Sequence, residues 1–332
     1  MRKTATRKKD LFPDFTNALR HLRDDAMPAR ATLSALSGAN RAQLGAFAET
    51  WIRLPVERRR DVSGKLIDLA EDSIEMDFNL LLRHMLNDED AQVRVNAIEG
   101  LWEDEDHALI APLVGFLRSD PDGRVRAAGA EALGRFVLLK EYDRLTVDQA
   151  NLIHEALLAA IRSANEPLEV RARALESLAY WGSDLMRDVI SDAYADDDVD
   201  MRASAVAAMG RSADAYWSKP VSEELESSDP QMRLNAVRAA GELEIHSAVR
   251  GLIELIDDPD REVQSAAVTA LGQIGGAPAR EALLRVVDSS DDVLSSLASD
   301  ALDELEFASG SDLLLFETAL EEEESTNPQK EN

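Results

Sequence analysis

Side chains suited to catalysis or metal binding are few in this chain and poorly spaced for either. Its five histidines are His21, His84, His107, His154 and His246. No two lie four residues apart, the spacing that sets two imidazoles on one helix face around a metal. Each is expected to be an ordinary surface or half-buried side chain. There is no cysteine, which excludes disulfides, thiol nucleophiles and cysteine-bound zinc. The run Gly272-Gln273-Ile274-Gly275-Gly276 has the glycine density of a phosphate-binding loop but lacks the Lys-Ser/Thr ending and a preceding strand. It reads as a turn leaving a helix. The acidic clusters Asp88-Glu89-Asp90 and Asp196-Asp197-Asp198 lack the spacing and terminal Glu of a calcium loop, and are expected to cap helices. No residue stands out as catalytic, cofactor-binding or metal-ligating, and no cofactor is expected.

The elements that must position these side chains are repetitive. Val93-Arg94-Val95-Asn96-Ala97-Ile98 is echoed at Val125-Arg126, Val170-Arg171, Met201-Arg202, Met232-Arg233, Val263-Gln264 and, more weakly, Leu294-Ser295. The steps are 32, 45, 31, 31, 31 and 31 residues, and a degenerate earlier copy starts at Val62. Within each copy apolar or small residues fall at positions 1, 5, 6 and 9, as in Val125, Gly129, Ala130 and Leu133. Those offsets share one face of a helix, and Ala or Gly at position 5 lets a neighbouring helix approach. A second apolar helix precedes each copy, so the unit is helix A, turn, helix B. Asp120-Pro121, Asp229-Pro230 and Asp258-Pro259 sit in those turns, where Asp is expected to cap helix B and Pro to open it. Acids before successive B helices are expected to line one edge as an acidic ridge.

The pattern D-P-D-x-x-V-R-x-x-A-x-x-A-L-G, nearly verbatim from Asp120 to Gly134, resembles the HEAT repeat in the form found in bacterial phycobilin-lyase-type proteins. The resemblance covers residues 76–305. It implies an all-α fold, a right-handed α-solenoid of about eight HEAT-like helix pairs with an irregular helical N-terminal region. It also implies that helix B lines a concave side and that Arg94, Arg126, Arg171, Arg202 and Arg233 form a ladder linking adjacent repeats. Gln264 and Ser295 depart from it, so the ladder is expected to lapse in the last two repeats. HEAT arrays serve many functions, so no activity transfers.

On this frame the chain divides into a basic arm and irregular helix at 1–35, a degenerate first repeat at 36–86, a repeat array at 87–323 and a polar, acidic tail at 324–332. The 45-residue step carries an insertion near 138–151, read as a longer surface connection or a partner-specific protrusion. Thr146-x-x-Gln149 reads as a capping box opening a helix that runs to about Ser163. Residues 312–321 read as a terminal capping helix. Position 7 of helix B, expected to face the concavity, holds Glu99, Glu131, Glu176, Ala207, Arg238 and Thr269, and position 11 adds Tyr180. Glu99, Glu131, Glu176, Tyr180 and Arg238 are the candidate partner-binding residues. Trp102 and Trp181 are expected to pack in the core or between repeats, with a role as binding anchors as the alternative.

Charge narrows the partners. The chain of 332 residues carries a net charge of −28. Residues 1–65 hold 14 Lys+Arg and 7 Asp+Glu, so that stretch is basic and residues 66–332 carry −35. Arg2, Lys3, Arg7, Lys8 and Lys9 form the arm. An acidic body repels phosphate backbones and favours basic partners. No run approaches the ~20 apolar residues of a membrane span, and the N-terminus lacks the apolar segment of a secretory signal. The expectation is a cytoplasmic, non-enzymatic scaffold or adaptor that binds a protein partner with a basic surface or tail. The alternatives are a chromophore-lyase-like or cofactor-handling chaperone subunit and, disfavoured by charge, a nucleic-acid-binding HEAT protein.

Overall fold

A computed structural model describes residues 13–24, 26–182 and 184–307. The basic residues Arg2 to Lys9, the terminal helix expected at 312–321 and the tail at 324–332 lie outside the described residues. Among the described residues every regular element is helical. In order they are α1 Pro13–His21, α2 Arg30–Ser34, α3 Arg41–Trp51, α4 Val56–Glu71, α5 Asn79–Met85, α6 Ala91–Gly100, α7 Ile110–Ser119, α8 Gly123–Glu141, α9 Val147–Arg162, α10 Leu168–Leu178, α11 Asp184–Tyr194, α12 Val199–Arg211, α13 Ser218–Glu224, α14 Pro230–Glu242, α15 Val249–Leu255, α16 Arg261–Ile274 and α17 Ala277–Val287. A last helix, α18, covers 292–307. From α3 onward they form eight A–B pairs, as the repeat count anticipates. No helix among the described residues is long and apolar enough to cross a membrane.

Two compact units result, Met1–Ser177 and Leu178–Asn332. In the first, α4, α6 and α8 pack side by side as B helices, with A helices behind them. In the second, α12, α14 and α16 do the same. The core is built from the positions the repeat marks. Val93, Ala97, Ile98 and Leu101 are buried, as are Val125, Ala130 and Leu133 in the first unit and Val263, Ala267, Val268 and Leu271 in the second. Fully burying such a Val, Leu or Ile contributes about 1.5–3 kcal/mol. Gly129, at position 5, lies so near the preceding A helix that a Cβ would sit 3.2 Å from the Leu113 carbonyl oxygen.

The N-terminal region is irregular, as its sequence implies. Arg58 on α4 donates to the Asp24 carbonyl at 2.8 Å and the Ala26 carbonyl at 3.0 Å, tying the link between α1 and α2 to the first repeat.

The insertion lengthens helices rather than looping out. α8 runs 19 residues and α9 runs 16, where α6 has 10. Phe136, Val137 and Leu139 bury the hairpin's inner side. α8 ends with Asp143 in the left-handed region (φ 54°), and the Arg144 N–H returns to the Leu139 carbonyl at 3.0 Å, which satisfies a terminal carbonyl. Thr146 and Gln149 then form the anticipated capping box of α9.

The caps correct one expectation. Asp229 does cap α14, with Pro230 in its first turn, but Asp120 and Asp258 do not cap the start of a B helix. The caps of α8 and α16 are Asp122 and Asp260, two residues later. The first Asp of each D-P-D instead accepts the backbone N–H of the second, at 2.9 Å for Asp120 and 2.8 Å for Asp258. Its carboxylate is thereby turned toward the preceding repeat. Asp90, Asp198 and Asp291 cap in the same way as Asp122.

Candidate docking grooves

The arginine at position 2 of helix B is where the repeats lock. Arg94 donates through Nε and Nη2 to both oxygens of Asp120, at 2.9 and 2.8 Å, and through Nη1 to the Asp88 carbonyl at 2.9 Å. Arg233 repeats this with Asp258 at 2.8 and 2.9 Å and with the Ser227 carbonyl at 2.9 Å. Arg126 makes the carbonyl bond to Asp120 but pairs with Glu166 at 2.9 Å, since Glu166-Pro167 stands in the turn before α10 where other repeats have Asp-Pro. Arg202 holds the Asp196 and Asp197 carbonyls, and the Nε of Arg171 reaches the Ile161 carbonyl at 3.2 Å. Gln264 keeps the carbonyl half of the arrangement, donating to Asp258 at 2.7 Å, and is uncharged. Ser295 reaches only the Val287 carbonyl, at 2.8 Å. There the link passes to Arg261, which pairs with the α18 cap Asp291 at 2.5 Å. In the first repeat Arg59, one turn before the expected position, pairs with Asp88 at 3.3 Å and Glu89 at 2.9 Å.

These bonds change the nature of the acidic edge. Asp88, Asp90, Asp120, Asp122, Asp258 and Asp291 each face an arginine. The Arg124 side chain and its backbone N–H hold the Asp122 carboxyl down at about 2. The turn acids of the first unit are therefore paired and do not form a bare ridge there.

Negative charge collects instead on the B-helix face of the first unit. A groove of about 500 Å³ runs across α4, α6 and α8, with Glu71, Glu99, Glu131, Trp102 and Arg135 in its walls. Each of the three helices contributes one glutamate. Partial burial, then the neighbouring Glu131 and Glu71 carboxylates, hold the Glu99 carboxyl above its ordinary value. Trp102 is 57% exposed, contrary to its expected packing role, because α6 stops at Gly100 and the indole follows the last turn. Arg135 is drawn under the wall. Its Nε donates to the Asp104 carbonyl at 3.1 Å, and burial pushes its pKa down to about 10.

A second groove of about 420 Å³ lies across α14, α16 and α18 in the other unit. Arg238, Glu242, Arg261 and Glu262 line it, so its charges balance. Burial raises the Glu242 carboxyl, against the opposing effects of Arg211 and Arg238.

The candidate residues separate accordingly. Glu99 and Glu131 share the first groove. Glu176 does not join them, being only 7% exposed. Arg173 takes its carboxylate at 3.1 Å and approaches Glu131 at 3.6 Å. The position-7 register overlooked that arginine three residues before Glu176, and Glu71 of α4 fills the third place. Tyr180 and Arg238 belong to the second unit. Tyr180 is half-buried, with the Arg211 guanidinium 6.0 Å from its ring centre, and Arg238 stands exposed in the balanced groove. Sequence reasoning missed Glu71 because it sits at position 10 of a degenerate copy, outside the columns compared.

The pattern of the HEAT-repeat family matches residues 79–146 and 218–303. No curated protein sequence matches the chain. Among solved structures, the complex of CpcE and CpcF of phycocyanin lyase from Nostoc is similar at 19% identity, over 59% of this chain and 76% of that one, with a TM-score of 0.42. Yeast importin-beta is similar at 12% identity, over 88% of this chain and 46% of that one, with a TM-score of 0.46. Human deoxyhypusine hydroxylase is similar at 19% identity, over 89% of this chain and 96% of that one, with a TM-score of 0.31. D-P-D turns, position-2 arginines and paired A and B helices run through both matched segments, and those segments are HEAT repeats.

Proposed function

We propose that the chain is a non-enzymatic cytoplasmic scaffold or adaptor that holds a basic segment of a protein partner on the B-helix face of its first unit. The observation that carries this reading is the groove in which Glu71, Glu99 and Glu131 come together beside an exposed tryptophan. Three carboxylates on successive helices repel one another while the groove is empty, and a cation between them relieves that repulsion. An exposed indole offers a face to Arg or Lys, a contact of about 0.5–1 kcal/mol at such sites. The groove of the second unit, with balanced charge, offers no comparable preference.

The test is affinity purification with mass spectrometry. It uses the full chain beside a variant carrying Glu71→Lys, Glu99→Lys and Glu131→Lys, and a form without residues 1–9. The triple reversal is expected to lose a partner with a basic segment that the full chain retains. An unchanged partner set with the triple reversal would reject the groove as the docking surface. Loss of that partner with the shortened form alone would move the contact to the basic arm.

A further inference from the structure

We infer that the first groove takes an amphipathic basic helix, whose cations meet the glutamates and whose apolar end rests on the extension of α8. The inference rests on the proposed docking role of that groove and specifies the chemistry of its occupant. It starts from the inserted turns of α8. Glu131, Arg135, Leu138 and Tyr142 follow one another at spacings of four, three and four residues, so all four lie on one face of the helix. Glu131 and Arg135 already line the groove. The same face therefore runs out of the groove onto Leu138 and Tyr142, which are 37% and 72% exposed.

Their exposure follows from helix lengths. α6 ends at Gly100 while α8 continues to Glu141, so the last turns of α8 have no B-helix neighbour from α6. Phe136, Val137 and Leu139, beside Leu138 in sequence, are buried in the hairpin. Leu138 and Tyr142 stand outside that core. Trp102, in the groove wall, extends the apolar surface. The tip is held in place. Arg144 pairs with Glu105 at 2.8 Å, and Arg135 with the Asp104 carbonyl, which fixes α8 to the 101–106 turn that carries Trp102. The Nη2 of Arg135 is buried.

The surface is consequently acidic at one end and apolar at the other. From Glu131 to Tyr142 the stripe spans roughly 16 Å, the length of three helical turns. A partner helix matches it when Arg or Lys occupy two turns of one face and Leu, Phe or Trp occupy the third. An extended polybasic tail satisfies the glutamates but leaves Leu138 and Tyr142 uncovered.

Two synthetic 14-residue peptides of arginine, leucine and alanine separate these cases by calorimetric titration into the full chain. In one, arginines fill two turns of a helical face and leucines the third. In the other, the same residues are scattered around the helix. The amphipathic peptide is expected to bind about tenfold more tightly, the gain from covering one large apolar side chain. Leu138→Ser with Tyr142→Ser should remove that advantage and leave the scattered peptide's affinity alone. Tyr142→Ser by itself, at the more exposed position, should remove part of it and guards against a folding defect. Equal affinity of the two peptides for the full chain, or an advantage that survives both serines, would overturn the inference. Glu99→Gln with Glu131→Gln should weaken both peptides. If it weakens neither, the docking role of the groove fails along with the inference.

Discussion

The two aspartates of each D-P-D turn look alike in sequence and do different work. Asp122 and Asp260 cap their own helices, whereas Asp120 and Asp258 receive an arginine from the repeat before. Spacing alone could not assign them, because both lie within reach of the helix start. The assignment depends on which carboxylate an arginine from another repeat can reach. Asp258 is 6% exposed, so Arg233→Ala leaves a buried acid without its cation. We expect a loss of about 2–3 kcal/mol in urea unfolding, against little change for Arg250→Ala on the surface. Acid should undo the same bonds. Asp90, Asp214 and Asp258 are held below the usual carboxylate range chiefly by Arg60, Arg187 and Arg233, and Asp122 sits at about 2. An unfolded Asp titrates near ~3.9. With the folded value lower, the stabilisation is complete above that pH and disappears as pH falls through the folded value. Melting temperature should therefore drop steeply between pH ~4 and ~2, and Asp122→Asn should flatten part of that drop.

Among the helices, legibility followed periodicity. The eight pairs, the capping box at Thr146 and the tight position 5 are all readable from residue spacing. The partner of each position-10 glycine is not, since it lies on the next B helix. A Cβ on Gly210 would sit 2.7 Å from the Ala239 Cα, and one on Gly272 would sit 2.7 Å from the Ala301 Cβ. Gly210→Ala must therefore push α12 and α14 apart, at a cost of about 1–3 kcal/mol. Gly45, on α3, has nothing within 4 Å. Gly45→Ala should stabilise by about 0.8 kcal/mol through helix propensity alone. Thermal unfolding of the two variants, measured side by side, tests whether the B-helix seam or general helix propensity governs the glycines.

The charge of the whole molecule was visible from composition, but its distribution was not. The turn acids of the first unit are answered by arginines, while its groove keeps three glutamates from helices up to 60 residues apart in sequence. No local pattern brings Glu71 next to Glu131, and only the stacking of α4, α6 and α8 does so. Because Glu99 is held above its ordinary value, it gains a proton before an average glutamate as pH falls. A bound cation favours its charged form, so affinity for a basic peptide should weaken at pH values just above ~4.3, where an ordinary glutamate is still charged. The most direct measurement is a calorimetric titration of an arginine-rich peptide into the full chain and into a Glu71→Gln, Glu99→Gln, Glu131→Gln variant, at low and high salt. The account predicts binding by the full chain that weakens with salt, and at least about tenfold weaker binding by the variant at low salt. Equal affinity of the two proteins at low salt would contradict it.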